Sequence, residues 1–225
     1  MNEIFMKYDI FSFDLDDTII KTENFHYNIW LITLKQVINN EFFITLNEYF
    51  TIFHSIKENS IQNYLKNDLK IHDYENVIKI KNEKYYKFIN ENKDSIKMID
   101  GCENFINKII HHNKKFIIVS NTLKEQIDFF LELFPILKHS TQNYYREILK
   151  NKKPNSECYI NVINDFPNNK IIGFEDSITG IHALSGAPEI TTFYVNTSNY
   201  LHHRYILDNY NVTHINNYND LLIMT

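Results

Sequence analysis

The feature that most constrains the fold is an apolar run that breaks into acidic residues near the start of the chain. Residues 10–13 are Ile-Phe-Ser-Phe, and Asp14, Asp16 and Asp17 follow directly. A short apolar run rich in β-favouring residues predicts a buried strand of a parallel sheet, over about residues 9–15. Because ligands of open α/β sheets bind outside the carboxyl ends of the strands, we expect these carboxylates at a binding site.

The spacing of the carboxylates favours a cation. Asp14 and Asp16 are two residues apart, so at the frayed end of a strand both can turn toward one ion or one substrate. Carboxylates this close repel one another unless a cation or a shared proton relieves them, and oxygen ligands suit a hard ion such as Mg2+. For this motif alone, a solvated acidic turn is the alternative. An EF-hand calcium loop is excluded, because Ile19 and Phe25 stand where it requires Gly and Glu.

Composition bounds the class of protein. The chain has 225 residues, 44% of them hydrophobic, which suits one α/β domain with an insertion or two small domains. The net charge is −5 without a basic stripe, so nucleic acid is not expected as a partner. Neither a secretory signal nor a membrane-spanning apolar run is visible. With Cys102 and Cys158 expected as reduced thiols, we predict a cytoplasmic monomer without a membrane partner.

The hydrophobic pattern divides the chain into an alternating part and a helical insertion. Helical spacing without any β pattern extends from residue 20 to about 98. After that, helices alternate with strands expected at residues 115–119, 136–138, 170–174, 190–195 and 212–215. Such alternation predicts right-handed βαβ units and a parallel sheet. We therefore predict an α/β, Rossmann-like core over residues 1–19 and 99–225, flanked by helices, with an inserted all-α domain over residues 20–98.

Two polar motifs follow predicted strands in the second half of the chain. Ser120 and Asn121 come directly after a strand and offer a hydroxyl and backbone amides to an anion, although an ordinary helix N-cap is the alternative. Lys153 precedes Pro154, which is predicted in the first turn of a helix. Its charge could point to the same pocket, with a solvated lysine as the alternative and Lys152 as a competing candidate.

A second acidic pair repeats the first pattern. The strand at residues 170–174 ends in Glu175 and Asp176, and Gly180 follows in a segment that holds three of only four glycines in the chain. Glycines are needed where backbones turn sharply or approach closely, so this segment is predicted to mark a second site. A plain helix cap is the alternative for the aspartate. Several like charges beside Asp14, however, are expected mainly around a metal ion.

Together these pieces resemble the haloacid dehalogenase superfamily of phosphotransferases. Its four motifs appear in order as Phe13-Asp14-Leu15-Asp16-Asp17-Thr18, Val119-Ser120-Asn121-Thr122, Lys152-Lys153-Pro154-Asn155 and Gly173-Phe174-Glu175-Asp176-Ser177-Ile178-Thr179-Gly180-Ile181. The helical insertion resembles the C1-type cap of the family. The stretch from Thr22 to Trp30 and the last motif are most similar to the β-phosphoglucomutase-like subfamily, which includes sugar-phosphate phosphatases and mutases.

The resemblance implies a role for each motif residue. Asp14 would be the nucleophile that forms an aspartyl-phosphate, and Asp16 the general acid and base. The phosphoryl group would be bound by Ser120, Asn121 and Lys153, of which Lys153 would also act in catalysis. Dehalogenation is disfavoured, because the dehalogenases of this superfamily do not keep the carboxylate seen here as Asp16.

The resemblance also implies a cofactor and a substrate class. Mg2+ would be held by the residues Asp14, Asp16, Glu175 and Asp176, with Asp16 contributing its backbone carbonyl. The resulting hypothesis is a Mg2+-dependent phosphatase acting on a small phosphorylated metabolite. A sugar phosphomutase remains open as an alternative, and so does a non-catalytic phosphate-binding or scaffold protein, although the intact catalytic set argues against the latter.

Departures from the family pattern fall mainly in the insertion. Thr22, His26 and Lys57 are the candidate substrate contacts there, and a partly buried helix histidine is the alternative for His26. Lys57 stands where sugar phosphomutases carry an arginine, and lysine cannot form the same bidentate contact with a second phosphate. His54 replaces a glycine, and Asp17 replaces the glycine common in the first motif, a variant seen in phosphatases of the family.

Overall fold

A parallel sheet joins segments from across the chain. The computed structural model describes residues 3–54, 58–197 and 210–223. Its strands are β1 (Ile10–Phe13), β2 (Lys115–Val119), β3 (Gln142–Tyr144), β4 (Ile171–Glu175), β5 (Ile190–Val195) and β6 (Thr213–Ile215). They are ordered β3-β2-β1-β4-β5-β6, and each neighbouring pair is parallel. The predicted α/β, Rossmann-like fold is confirmed, and β1 lies centrally between β2 and β4.

The chain divides into two units. The core unit, Met1–Lys21 with Lys97–Thr225, contains the sheet with α1 (Glu3–Lys7), α6 (Cys102–His111), α7 (Lys124–Leu133), a 3-10 helix (Pro135–His139), α8 (Glu157–Asp165), α9 (Ile178–Ser185) and α10 (Asn219–Ile223). The insert unit, Thr22–Ile96, contains α2 (Glu23–Val37), α3 (Leu46–Ile52), α4 (Glu58–Asn63), a π-helix (Tyr64–Asp68), α5 (Tyr74–Glu91) and a 3-10 helix (Lys93–Ser95). Among the described helices, none combines the length and apolar character needed to cross a bilayer.

Both faces of the sheet are buried under apolar layers. Alternate residues of β1 point to opposite faces. On one face Phe13 stacks on Phe174 with 4.8 Å between ring centroids, and Phe105 of α6 lies 5.8 Å from Phe11. On the other face Ile10 belongs to a buried cluster with residues of α8 and α9. This double cover explains why the strand reads as a continuous apolar run instead of an alternating one.

A glycine sets how closely α9 approaches the sheet. Gly173 lies in β4, and a Cβ at this position would be only 2.8 Å from Leu184 Cδ2 and 3.1 Å from Ile190 Cγ2. Any larger residue would push the helix away from the strand. Gly173 therefore lies where a helix closely approaches a strand, as expected for a glycine in this segment.

One predicted strand is wrong. Residues 136–138 belong to the 3-10 helix Pro135–His139, and the strand follows at Gln142–Tyr144. A short apolar run is ambiguous between strand and helix; Pro135 suits the first helical turn, and Leu137 is buried as part of that helix. β3 lies at the edge of the sheet, and only its Tyr144 is buried, so it lacks the apolar pattern of the interior strands.

Helix α8 begins later than predicted, so the placement of Pro154 in its first turn is also wrong. The helix starts at Glu157, and Pro154 lies in the preceding turn. The Glu157 carboxylate accepts backbone N–H groups from Lys150 at 2.8 Å and Asn151 at 2.9 Å. This acidic residue at the helix start thus fixes the loop that carries the lysine motif. The short helix α1 was not predicted.

We predict that Phe105→Ala destabilises the core unit by about 3–5 kcal/mol, as expected for removing a buried aromatic ring. Phe105 is fully buried, and its ring centroid lies within 6.3 Å of those of Phe5, Phe11, Phe13, Phe174 and Tyr218. Phe43→Ala is the control, since Phe43 is 62% exposed and should change stability by less than about 0.5 kcal/mol. Urea denaturation followed by circular dichroism measures both, and equal effects would contradict the prediction.

Candidate active site

A buried lysine joins the carboxyl ends of three strands. Lys153 Nζ donates to Asp14 Oδ1 at 2.7 Å, to Glu175 Oε1 at 2.5 Å and to the carbonyl of Val119 at 2.6 Å. These partners stand at or just after the ends of β1, β4 and β2 and use all three ammonium protons. The Lys153 side chain is only 3% exposed. Lys153 is therefore brought to the acidic residues.

The charges of this cluster shift one another's protonation. Burial opposes the charge on Lys153, but Asp14 and Glu175 outweigh burial and raise its pKa, so the ammonium is retained. Burial is also the largest influence on Asp14, where it overcomes the favourable charge of Lys153. With added repulsion from Glu175 and Asp16, it raises the pKa of Asp14 to about 8. The charge of the single lysine thus does not offset burial and the repulsion from the neighbouring carboxylates.

The acidic residues fit a divalent cation. Asp14, Glu175 and Asp176 are all buried, and each offers a carboxylate oxygen within 4.8 Å of those of the other two. Glu175 Oε2 has no hydrogen-bond partner among the described residues. A set of oxygen ligands with more negative than positive charge suits Mg2+. Asp176 is further oriented by Thr18, whose hydroxyl donates to its Oδ1 at 3.1 Å.

A hydroxyl chain links the end of β2 to Asp16. Thr122 Oγ1 donates to Asp16 Oδ2 at 2.5 Å, and Ser120 Oγ donates to Thr122 Oγ1 at 2.9 Å. Helix α7 begins only at Lys124 and its N-cap position is Leu123, so the plain N-cap interpretation of Ser120 does not hold. The contact of Thr122 with Asp16 was not predicted. The position of Thr122, directly after Ser120 and Asn121, could have indicated that it lies at the site.

The Asn121 side chain holds the backbone of Lys153. Its Nδ2 donates to the Lys153 carbonyl at 3.1 Å, and its Oδ1 accepts the Lys153 N–H at 3.0 Å. Both polar groups of the Asn121 amide are therefore hydrogen-bonded to the Lys153 backbone. A phosphate contact from Asn121 would come from its own backbone. The structure thus brings Asp14, Ser120 and Lys153 together, with Asn121 as a support.

Tyr159 and Gly180 of the core unit both lie close to the Glu175 carboxylate. The Tyr159 hydroxyl donates to Glu175 Oε1, and burial raises the pKa of Tyr159 well above its usual value, so the hydroxyl keeps its proton. A Cβ on Gly180 would lie 1.8 Å from Glu175 Oε2, which explains the glycine of the acidic motif.

Helix α9 is capped by Ser177, which accepts the Gly180 N–H at 3.0 Å. Asp176 is therefore not the helix cap, and Tyr159 carried no signal in the sequence.

The C-terminal part of the chain supports the aspartate loop. Asp17 adopts a left-handed backbone conformation with φ of 50°, the region that favours glycine. Its carbonyl accepts a hydrogen bond from Thr197 Oγ1 at 3.1 Å, and the next carbonyl, of Thr18, accepts one from the Tyr218 hydroxyl at 3.0 Å. Thr197 and Tyr218 therefore brace the loop that carries Asp14 and Asp16.

The candidate contacts of the insertion lie in the insert unit. Thr22 is buried at the N-cap position of α2. The His26 ring stacks on Tyr85 with 4.2 Å between centroids, and its Nδ1 lies 3.1 Å from Lys81 Nζ. Lys57 lies outside the described residues.

His54 and Glu23 form a buried contact in the insert unit. His54 Nδ1 lies 2.5 Å from Glu23 Oε2, at the start of α2. Burial opposes the charge on Glu23, but the charge and hydrogen bond of His54 outweigh it and lower the pKa of Glu23 to about 2. His54 is thus fixed within the insert unit.

Comparison with known proteins identifies the family. The model of the haloacid dehalogenase-like hydrolases matches residues 12–193, so the chain belongs to this family. No curated protein shows significant sequence similarity. A family IA hydrolase from Entamoeba histolytica is 18% identical over 94% of both chains, with a TM-score of 0.76.

Two further solved structures of this fold contain phosphate. CbbY from Rhodobacter sphaeroides is 17% identical, with a TM-score of 0.67 over 84% of this chain and 86% of that chain. A family hydrolase from Deinococcus radiodurans, which also contains sodium, is 18% identical, with a TM-score of 0.63 over 85% and 82% of the two chains. At these identities the likeness shows a shared fold.

We predict that Mg2+ stabilises the protein more at pH 8 than at pH 6. An unfolded aspartate ionises near pH 4, whereas the pKa of Asp14 is raised to about 8. Between these values the folded protein retains a proton that the unfolded chain has lost, so without metal this group lowers stability as the pH rises. A bound cation offsets the repulsion and should reverse that loss.

Thermal unfolding with EDTA or Mg2+ at both pH values measures the effect. The control is Asp14→Asn, which removes the titrating carboxyl. Its Mg2+-dependent shift should be smaller and nearly independent of pH. A wild-type shift that shrinks as the pH rises would contradict the assignment of Asp14 to the cation site.

Proposed function

We propose that this chain is a Mg2+-dependent phosphatase that hydrolyses a small phosphorylated metabolite through an aspartyl-phosphate on Asp14. The observation that carries this proposal is the Asp14 carboxylate held at 2.7 Å by Lys153 inside a buried acidic cluster. Membership of the haloacid dehalogenase-like hydrolases supports it, as do the phosphate ions in two structures of the same fold. We also propose that the insert unit is the cap.

In the first step, Asp14 attacks phosphorus. A bond forms between its carboxylate oxygen and phosphorus, while the bond to the leaving oxygen breaks. Asp16 gives that oxygen a proton, and the Thr122 hydroxyl at 2.5 Å orients Asp16 for the transfer. Lys153 and Ser120 balance the charge on the equatorial phosphoryl oxygens.

In the second step, Asp16 takes a proton from water, which attacks the phosphorus of the aspartyl-phosphate. The bond from phosphorus to Asp14 breaks, which releases inorganic phosphate and restores the carboxylate. Asp14, Asp176 and the backbone carbonyl of Asp16, with Glu175 beside them, would hold Mg2+, which supplies positive charge to the phosphoryl group. Asp14 must be ionised to attack, and the same cation opposes its raised pKa.

We expect purified protein with Mg2+ to release phosphate from some members of a panel of phosphorylated sugars, nucleotides and organic acids. Asp14→Asn should abolish this activity, because the nucleophile is lost. Asp16→Asn should lower kcat by about 10²–10⁴-fold, the usual value of general acid–base help, while Mg2+ still raises the unfolding temperature. Phosphate release from Asp14→Asn at near wild-type rates would sink the covalent mechanism.

Product analysis separates a phosphatase from a mutase. A mutase must keep water from its aspartyl-phosphate until a sugar hydroxyl arrives. The substitution of Lys57 for arginine weakens recognition of a second phosphate, and His54 replaces a glycine with a side chain fixed by Glu23. We therefore expect free phosphate to be the main product from monophosphates, without a bisphosphate activator.

The measurement uses β-glucose 1-phosphate with traces of the 1,6-bisphosphate. Free phosphate without glucose 6-phosphate is expected. Rapid conversion to glucose 6-phosphate with little free phosphate would show that the mutase alternative is correct.

A further inference from the structure

One oxygen of Glu175 accepts two donors. Oε1 receives the Lys153 ammonium at 2.5 Å and also the Tyr159 hydroxyl. Tyr159 is fully buried in α8, and Lys153 Nζ lies 5.3 Å from the centroid of its ring. The same side chain therefore touches both members of the Lys153–Glu175 ion pair.

We propose that Tyr159 is a positioning residue, whose hydroxyl holds Glu175 so that Lys153 stays shared between Glu175 and Asp14. This inference rests on the proposed function, in which Lys153 balances the charge of the phosphoryl group that Asp14 attacks. Tyr159 itself touches neither Asp14 nor a phosphoryl oxygen in the proposed reaction, and it acts through Glu175.

The sharing of Lys153 explains why a second donor on Glu175 matters. Lys153 has three protons, and they are divided among Glu175, Asp14 and the carbonyl of Val119. A buried carboxylate attracts an ammonium strongly, so a donor from Tyr159 stabilises part of the Glu175 charge and weakens that pull. Without the hydroxyl, Glu175 would draw Lys153 away from the reacting carboxylate.

The surroundings of Glu175 leave little room for other positions. Gly180 lies so close that even a Cβ would meet Oε2 at 1.8 Å. Gly180 thus limits the position of Oε2, and the Tyr159 hydroxyl holds Oε1. A fixed Glu175 gives a fixed Lys153, which is what transition-state stabilisation by a preorganised charge requires.

The test compares Tyr159→Phe with Tyr144→Phe. Both substitutions remove one hydroxyl that donates to a carboxylate in the core unit, but the Tyr144 hydroxyl donates to Asp165 at 2.6 Å and reaches no catalytic residue. With p-nitrophenyl phosphate and Mg2+, Tyr159→Phe should lower kcat/KM by about 10- to 100-fold, the range of one charge-assisted hydrogen bond. The larger part of the loss should appear in kcat.

Tyr144→Phe should leave kcat/KM within about twofold, even where it lowers the unfolding temperature as much as Tyr159→Phe does. Activities are compared well below both unfolding temperatures, so that a merely structural role would leave the two variants alike. Equal activities of the two variants would overturn the proposal.

Binding of inorganic phosphate gives a second measurement that does not depend on turnover. In calorimetry with Mg2+, Tyr159→Phe should weaken phosphate binding by about tenfold in the wild-type background. In a Glu175→Gln background the same substitution should change it by less than about twofold, since no carboxylate remains to be held. A full effect in that background would show that Tyr159 does not act through Glu175.

The two proposals fail in different ways. A wild-type protein that binds phosphate but hydrolyses no ester would contradict the phosphatase proposal alone, and the role of Tyr159 would then be decided by phosphate affinity. Unchanged phosphate affinity in Tyr159→Phe, or a wild-type protein that does not bind phosphate at all, would overturn the positioning role.

Discussion

The ammonium of Lys153 binds groups at the ends of β1, β2 and β4, and the remainder of the site is organised around it. Charges buried this deeply are tolerated only when each is paired and hydrogen-bonded, because removing one partner leaves the others uncompensated. Lys153 therefore compensates the charges of Asp14 and Glu175, and these two carboxylates compensate the charge of Lys153. The same interaction joins the carboxyl ends of the three central strands at the acidic cluster.

Around this ion pair stands a layer of neutral residues. Asn121 fixes the backbone of the lysine, Thr122 orients Asp16, and Gly180 makes room for the Glu175 carboxylate. Their exchange for similar residues would leave the charges in place but alter the distances between them. The distances between the charged groups therefore depend on residues that carry no charge.

The sequence predicted the parallel sheet and the meeting of the acidic motifs, because apolar runs ending in polar residues mark the carboxyl ends of buried strands. Edge strand β3 was misplaced, since an edge strand lacks that apolar run. Tyr159 was missed for a different reason: in the sequence it is one aromatic residue on an amphipathic helix, like many core residues. Its contact with Glu175 depends on how α8 packs on the sheet, and spacing along the chain does not encode that.

The hydrogen bond from Tyr218 to the Thr18 carbonyl ties the segment that precedes α10 to the first acidic motif. Its ring also packs between Phe105 and Phe174 in the aromatic layer. During synthesis on the ribosome, the loop at residues 14–18 lacks this brace until about two hundred more residues have followed. A nascent chain therefore carries all four motifs before the first of them has this support.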